Sequence, residues 1–303
     1  MGIAIMKETQ RFYRTMRHDV KATALHGWPY LKYRYMHKLP PVFGEGIRTP
    51  ASGPLEIHLL TCARDFQMAV WSAFSLTVMC KKQLPLVIHE DGTLSEKMFA
   101  TLRRFFPDAR IIMGREATAK SEDTYRCFPR LLYLRRRLKH FWKLTDFPLF
   151  CSAPRFVILD SDQLFFSTPY ELLRGPLDMP HLFLRDLFST YELSAVDVEA
   201  RLAQRVACGL GNVDKEVIDF DRMERFLCSS KLDIDHCDIW IEQTLWALEC
   251  GASGVEYLPE TYTIALGSGC GCRKAKHYIG GPSRDYFYAE GIPAMERAIL
   301  DQV

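Results

Sequence analysis

Asp160 and Asp162 stand where the apolar run FVIL, residues 156–159, gives out in FVILDSDQLFF. Carboxylates two apart at the end of an unwinding strand can turn toward one divalent ion and offer it hard oxygen ligands. The chain has two further Asp-x-Asp pairs, Asp219/Asp221 and Asp233/Asp235. Only the first combines an apolar approach with an apolar exit (Leu164, Phe165, Phe166). The other two read as helix-capping or turn acids. The cluster Asp233, Asp235, His236, Asp238 lacks the Gly and terminal Glu of an EF-hand loop. The first pair is therefore the candidate metal site.

Other chemistries lack their motifs. GxxxxGK[ST] and HExxH are missing, and Gly267-Ser-Gly269-Cys-Gly271 omits the last Gly of GxGxxG and follows no strand-to-helix unit. No GxSxG sits after a buried strand, which speaks against a Ser-His-Asp hydrolase. The ten cysteines include no CxxC pair, and Cys270-Gly-Cys272 has no matching second pair. Reduced thiols, and no cysteine-based structural zinc, are expected.

The elements that must position the acids alternate strand and helix. Strands are expected at 56–62, 84–90, 109–113 and 156–160, and helices at 65–81, 95–106 and 130–143. This order predicts an α/β fold with a Rossmann-type, mainly parallel sheet and helices on both faces. In such sheets ligands bind beyond the carboxyl ends of the strands, here just after Cys62, Glu90 and Leu159. The C-terminal half is less regular: a strand at 181–185, helices near 223–228 and 237–250, short strands near 255–258 and 276–279, and a last helix from Pro293.

The 303 residues are 48% hydrophobic and 12% aromatic, which excludes intrinsic disorder. The longest apolar run, 68–80, is too short to span a membrane and is broken by Ser72, Ser75 and Thr77. With no secretory signal at the start, a soluble protein of the cytoplasm, placed at most at the inner face of the membrane, is expected. Net charge is only +2, yet residues 1–48 carry nine Lys/Arg against three acids. That segment interleaves Trp28, Tyr30, Tyr33 and Tyr35 among the basic residues. It could touch an anionic membrane surface, or pack its aromatics on the main body; nucleic acid is not an expected partner. The Pro- and Gly-rich stretch 38–54 reads as a linker. Residues 1–49 are thus a basic aromatic extension and linker, and 50–303 the main domain.

Companions of the acid pair follow in a set order: Lys143 in FWKLTD, Arg185-Asp186 closing a later strand, IEQTLWALECG (241–251), LPETYTI (258–264) and KHYIGGPSR (276–284). This order resembles glycosyltransferase family 8 and its GT-A relatives, the group of glycogenin and the bacterial lipopolysaccharide galactosyl- and glucosyltransferases, over about residues 56–290. The resemblance implies a GT-A-like fold and a retaining transfer of a sugar from a nucleotide-sugar, UDP-linked first of all, to a hydroxyl of a glycan, lipid-linked or protein acceptor. It implies that Asp160, Asp162 and His277 hold Mn²⁺ or Mg²⁺, and that Arg284 clamps the diphosphate. Lys143 and Ser161 would lie by the donor, with Thr61, Cys62 and Ala63 at the nucleotide end. Asp186 and Gln243 would contact sugar hydroxyls, with Glu242 beside the reacting carbon. Ala207 stands where the family carries an Asn before x-Gly, Glu242 replaces the usual Asp, and Arg284 lies seven residues after His277, where the family has Lys at six. Two other readings remain: a transferase-like scaffold without turnover, and a dehalogenase-type Mg²⁺-dependent phosphatase, whose motif wants Thr or Val where Leu164 stands.

Overall fold

A computed structural model describes residues 2–41, 46–81, 83–192, 200–229, 232–264, 266–270 and 273–300, with backbone alone for 2–14 and 282. Gly271 and Cys272 lie outside it, and so does part of the expected linker. The chain opens with α1 (Gly2–Leu31), which bends at Gly27, where φ of 66° calls for glycine, and then makes a π turn at Lys32–Met36. The alternating part follows as β1 (Leu55–Thr61), α2 (Phe66–Met79), β2 (Leu86–Glu90), α3 (Glu96–Phe105), β3 (Arg110–Ile112), α4 (Gly114–Thr124), α5 (Pro129–Arg137), α6 (Trp142–Phe150) and β4 (Arg155–Leu159). Then come β5 (Gln163–Phe165), α7 (Tyr170–Arg174), β6 (His181–Arg185), β7 (Val206–Asp214), α8 (Phe220–Leu227) and α9 (Trp240–Ser253). The chain ends with β8 (Val255–Tyr257), β9 (Tyr262–Ile264), β10 (Ala275–His277), α10 (Gly281–Tyr286) and α11 (Ile292–Leu300).

Seven strands form one sheet in the order β3-β2-β1-β4-β7-β6-β8. Pairing is parallel except at β7, which runs against both neighbours. The period-2 alternation of β4 explains its uninterrupted apolar run. Val157 and Leu159 join the cluster that includes α2, while Phe156 and Ile158 join the one built on α5, α6, α8 and α9. A three-stranded sheet, β5-β10-β9, sits beyond the carboxyl end of β4. Among the described residues all nine cysteines are free, and no helix is long and apolar enough to cross a membrane.

Two expectations need correction. The helix expected over 130–143 is two helices: α5 stops at Arg137, and a 3₁₀ turn at Lys139–Phe141 precedes α6. A local lock holds this corner. Arg135 pairs with Asp146 through two 2.7 Å bonds, stacks on the Trp142 ring at 4.3 Å, and accepts on its own carbonyl from Trp142 Nε1. The sheet is also longer than expected, because β7 went unread. The N-terminal aromatics divide: Tyr30 and Tyr33 are buried in the main cluster, whereas Trp28 is 60% exposed.

Candidate active site

The acids reach their third partner through strand register. After Asp162 the chain enters β5, which pairs antiparallel with β10 so that Gln163 lies opposite His277. The ladder continues past the strand end, Tyr278 N donating to the Asp162 carbonyl at 2.9 Å. His277 Nε2 therefore lies 3.0 Å from Asp162 Oδ1 and 3.7 Å from Asp160 Oδ2. Asp160 is fixed from both sides: its N–H donates to the Gly209 carbonyl across the β4–β7 ladder, and its carbonyl accepts from Ser72 Oγ of α2.

Gly209 supplies the room. A Cβ there would stand 2.3 Å from His277 Cε1, 2.7 Å from Asp160 Oδ2 and 2.9 Å from His277 Nδ1. His277 Nδ1 is itself buried without a hydrogen-bond partner. The bare backbone at Gly209 lets the imidazole lie close with Nε2 toward both acids, and two carboxylates with one imidazole are a donor set that can hold a divalent cation. Among the described residues one other group brings three ligand atoms within 4.8 Å, Glu56, His58 and Cys151. There Glu56 Oε2 already takes His58, the Ser152 N–H and the Arg110 guanidinium, which makes it a closed hydrogen-bonded network.

Positive charge surrounds the acids. Lys143, near the start of α6, donates to Asp160 Oδ1 at 2.9 Å and lies 3.4 Å from Glu242 Oε2. Burial disfavours its charge, but Asp160 and Glu242 overcome that and hold it cationic well above the usual lysine range. Arg284 of α10 donates to Asp162 Oδ2 through Nε (3.1 Å) and Nη2 (2.8 Å), and to Asp65 Oδ1 through Nη1 (3.1 Å). The turn that delivers it rests on Gly280, at φ 75°. Burial would raise the Asp162 carboxyl, yet His277 and Arg284 keep it well below the carboxylate range. Glu242 goes the other way. Fully buried, and only partly relieved by Lys143, it is pushed up to about 7.

Thr61, Cys62, Ala63, Lys143, Asp160, Ser161, Asp162 and Arg284 all line one cleft of about 630 Å³ at the carboxyl ends of β1 and β4. His277, Asp186, Glu242 and Gln243 stand behind this wall, each at most 8% exposed. They form a connected group: Gln243 Nε2 donates to Asp186 Oδ2 at 2.9 Å, Gln243 Oε1 lies 3.7 Å from Cys208 Sγ, and Lys143 also donates to the Cys208 carbonyl. Sequence reasoning missed Asp65, Lys139 and His140 on the cleft and Gly209 beneath it. The 3₁₀ turn that breaks the expected helix is what turns Lys139 and His140 into the opening.

No protein-family model matches the sequence, and no curated protein does. Solved structures do match. The galactosyltransferase LgtC, in complex with donor and acceptor sugar analogues, is similar at a TM-score of 0.55 and 14% identity, over 81% of this chain and 95% of that one. Mouse xyloside xylosyltransferase 1 is similar at 0.50 and 12%, over 82% and 93%. The bifunctional glycosyltransferase WbbM is similar at 0.53 and 13%, over 87% of this chain and 53% of its own, so the chain spans about half of WbbM. The chain has the fold of the GT-A glycosyltransferases.

Proposed function

We propose that this protein transfers a sugar from a nucleoside-diphosphate sugar, UDP-linked in the first instance, to a hydroxyl of a glycan, lipid-linked or protein acceptor. The observation that carries the reading is the convergence of Asp160, Asp162 and His277, with ligand atoms all within 4.8 Å, under a cleft bordered by Lys143 and Arg284 in a GT-A fold. A divalent ion held by that trio, Mn²⁺ by preference, would act as a Lewis acid on the negative charge of the departing diphosphate. The chain supplies the rest. Arg284 offers a planar fork suited to phosphate oxygens, and Lys143 a fixed positive charge beside Asp160. Asp186 and Gln243, locked to each other behind the cleft wall, are the groups this reading assigns to the sugar hydroxyls. Glu242, poised near neutrality, is the carboxyl able to hold or release a proton, which makes it and Asp186 the groups on which retention or inversion turns.

The phosphatase reading draws no support. Leu164 is fully buried in β5, and the acid pair follows the fourth strand of the sheet's chain order. A screen of nucleotide-sugars for Mn²⁺-dependent hydrolysis tests the proposal. Hydrolysis that vanishes in Asp162→Ala supports it, and an Asp162→Ala protein as active as wild type overturns it. Metal-dependent UDP binding in calorimetry without any donor turnover would favour the scaffold instead.

A further inference from the structure

The N-terminal helix shows the solvent a face that its fold does not explain. Its inner face is committed: Ala22 and Tyr30 are buried, His18 Nε2 lies 3.0 Å from Asp285 Oδ1, and the His26 ring meets Tyr286. The outer face carries an i, i+4 ridge of Met16, Val20 and Ala24, with Trp28 exposed just past the kink. Arg17, Lys21 and Leu25 form the next ridge, all exposed. Val20, Leu25 and Trp28 are 64%, 73% and 60% exposed, far more than a helix packed on a body requires. Beside this ridge the π turn folds Leu31 and Tyr35 back along the helix and opens an apolar groove of about 670 Å³.

We propose that this outer face of α1 docks on an anionic lipid bilayer. Large apolar side chains interleaved with cations are what an interfacial helix needs: the rings and aliphatic groups enter the headgroup boundary while Arg17 and Lys21 meet lipid phosphates. Charge selects the occupant. Residues 1–48 carry +6 while the remaining chain is net negative, so a second copy of the chain seated on the same face by two-fold symmetry would set Arg17 and Lys21 against their equivalents. A bilayer of anionic lipid supplies the complement instead.

The test is sedimentation of the full chain with vesicles of 30% phosphatidylglycerol in phosphatidylcholine and with vesicles of phosphatidylcholine alone. The wild type should partition to the anionic vesicles and lose most binding at 0.5 M salt. Val20→Ser/Leu25→Ser/Trp28→Ser should weaken that partition on the order of tenfold or more, with unchanged thermal melting because all three side chains already face water. Arg17→Glu/Lys21→Glu should weaken it as well. Wild-type protein that stays in the supernatant, or a triple-Ser variant that binds as wild type, overturns the proposal. So does a dimer in size-exclusion chromatography that the triple-Ser variant dissolves, which would assign the face to a second copy. Donor hydrolysis without vesicles reads the transferase proposal separately, so the two can fail independently.

Discussion

Gly209→Ala puts the assignment of the metal site under direct stress. The added methyl would stand 2.3 Å from His277 Cε1 and 2.7 Å from Asp160 Oδ2, where ordinary contacts need 3.4 Å or more. Asp160 cannot retreat easily, since Lys143 holds its Oδ1 at 2.9 Å and the Gly209 carbonyl holds its N–H. The imidazole must therefore recede by about 1 Å, which carries its Nε2 out of place against the two acids. A displacement of that size at a reacting centre costs on the order of 100-fold in rate, and crowding a packed site costs roughly 1–3 kcal/mol of stability. The assay is Mn²⁺ titration by electron paramagnetic resonance with UDP present, alongside a thermal melt and donor hydrolysis. The expected result is a Mn²⁺ affinity lower by on the order of 10- to 100-fold in a protein that still melts cooperatively. A Gly209→Ala protein that keeps wild-type Mn²⁺ affinity while losing stability would show that the glycine serves packing alone, and the trio would no longer be the metal site.

Arg284→Gln should act with opposite signs on two ligands: weaker UDP binding by on the order of 10- to 100-fold, through the lost charge-assisted bonds, and tighter binding of Mn²⁺ alone, because the guanidinium now sits on Asp162 Oδ2. Calorimetry with each ligand separately checks this, and equal weakening of both would refute it. Asp162 is depressed below the carboxylate range in the folded chain, so its stabilisation is present above the unfolded value of about 4 and drains away as pH falls below it. Metal-free Asp162→Asn should accordingly show a shallower loss of melting temperature between pH 5 and 3 than wild type, and parallel curves would contradict the ion-pair geometry. Glu242 titrates near 7, above its unfolded value of 4.5, so the folded state binds the extra proton and stability falls as pH rises from about 4.5 to 7. Glu242→Gln should flatten that slope in melts taken over the same window, and an unaltered slope would mean that the carboxyl is not held neutral.

The convergence of Asp160, Asp162 and His277 was legible in part. An apolar run that stops at Asp160 is the signature of a buried strand end, and the family order supplied His277 from more than a hundred residues away. What the sequence could not display was how the two meet. Antiparallel pairing of β5 and β10, three residues each, sets that contact, and strands so short leave no periodicity to read. The corner at Lys139–Phe141 was hidden for a related reason: the apolar spacing runs through it unbroken, and the lock among Arg135, Asp146 and Trp142 is a tertiary matter.

Strand β7 is the instructive omission. VACGLGNVD is not read as a strand, since glycine and asparagine are poor strand formers. Yet both glycines are there on account of what crosses them. A Cβ at 211 would stand 2.8 Å from the Phe183 ring, and a Cβ at 209 would strike His277 and Asp160. The ladder of β4 and β6 on either side forces the extended conformation that local preference disfavours. Of the residues that conceal the strand from propensity, Gly209 leaves room beside Asp160 and His277 and Gly211 leaves room for the Phe183 ring, so the signal that could have found β7 was one of packing: bare backbone on the strand next to the acid pair, where large side chains cross it.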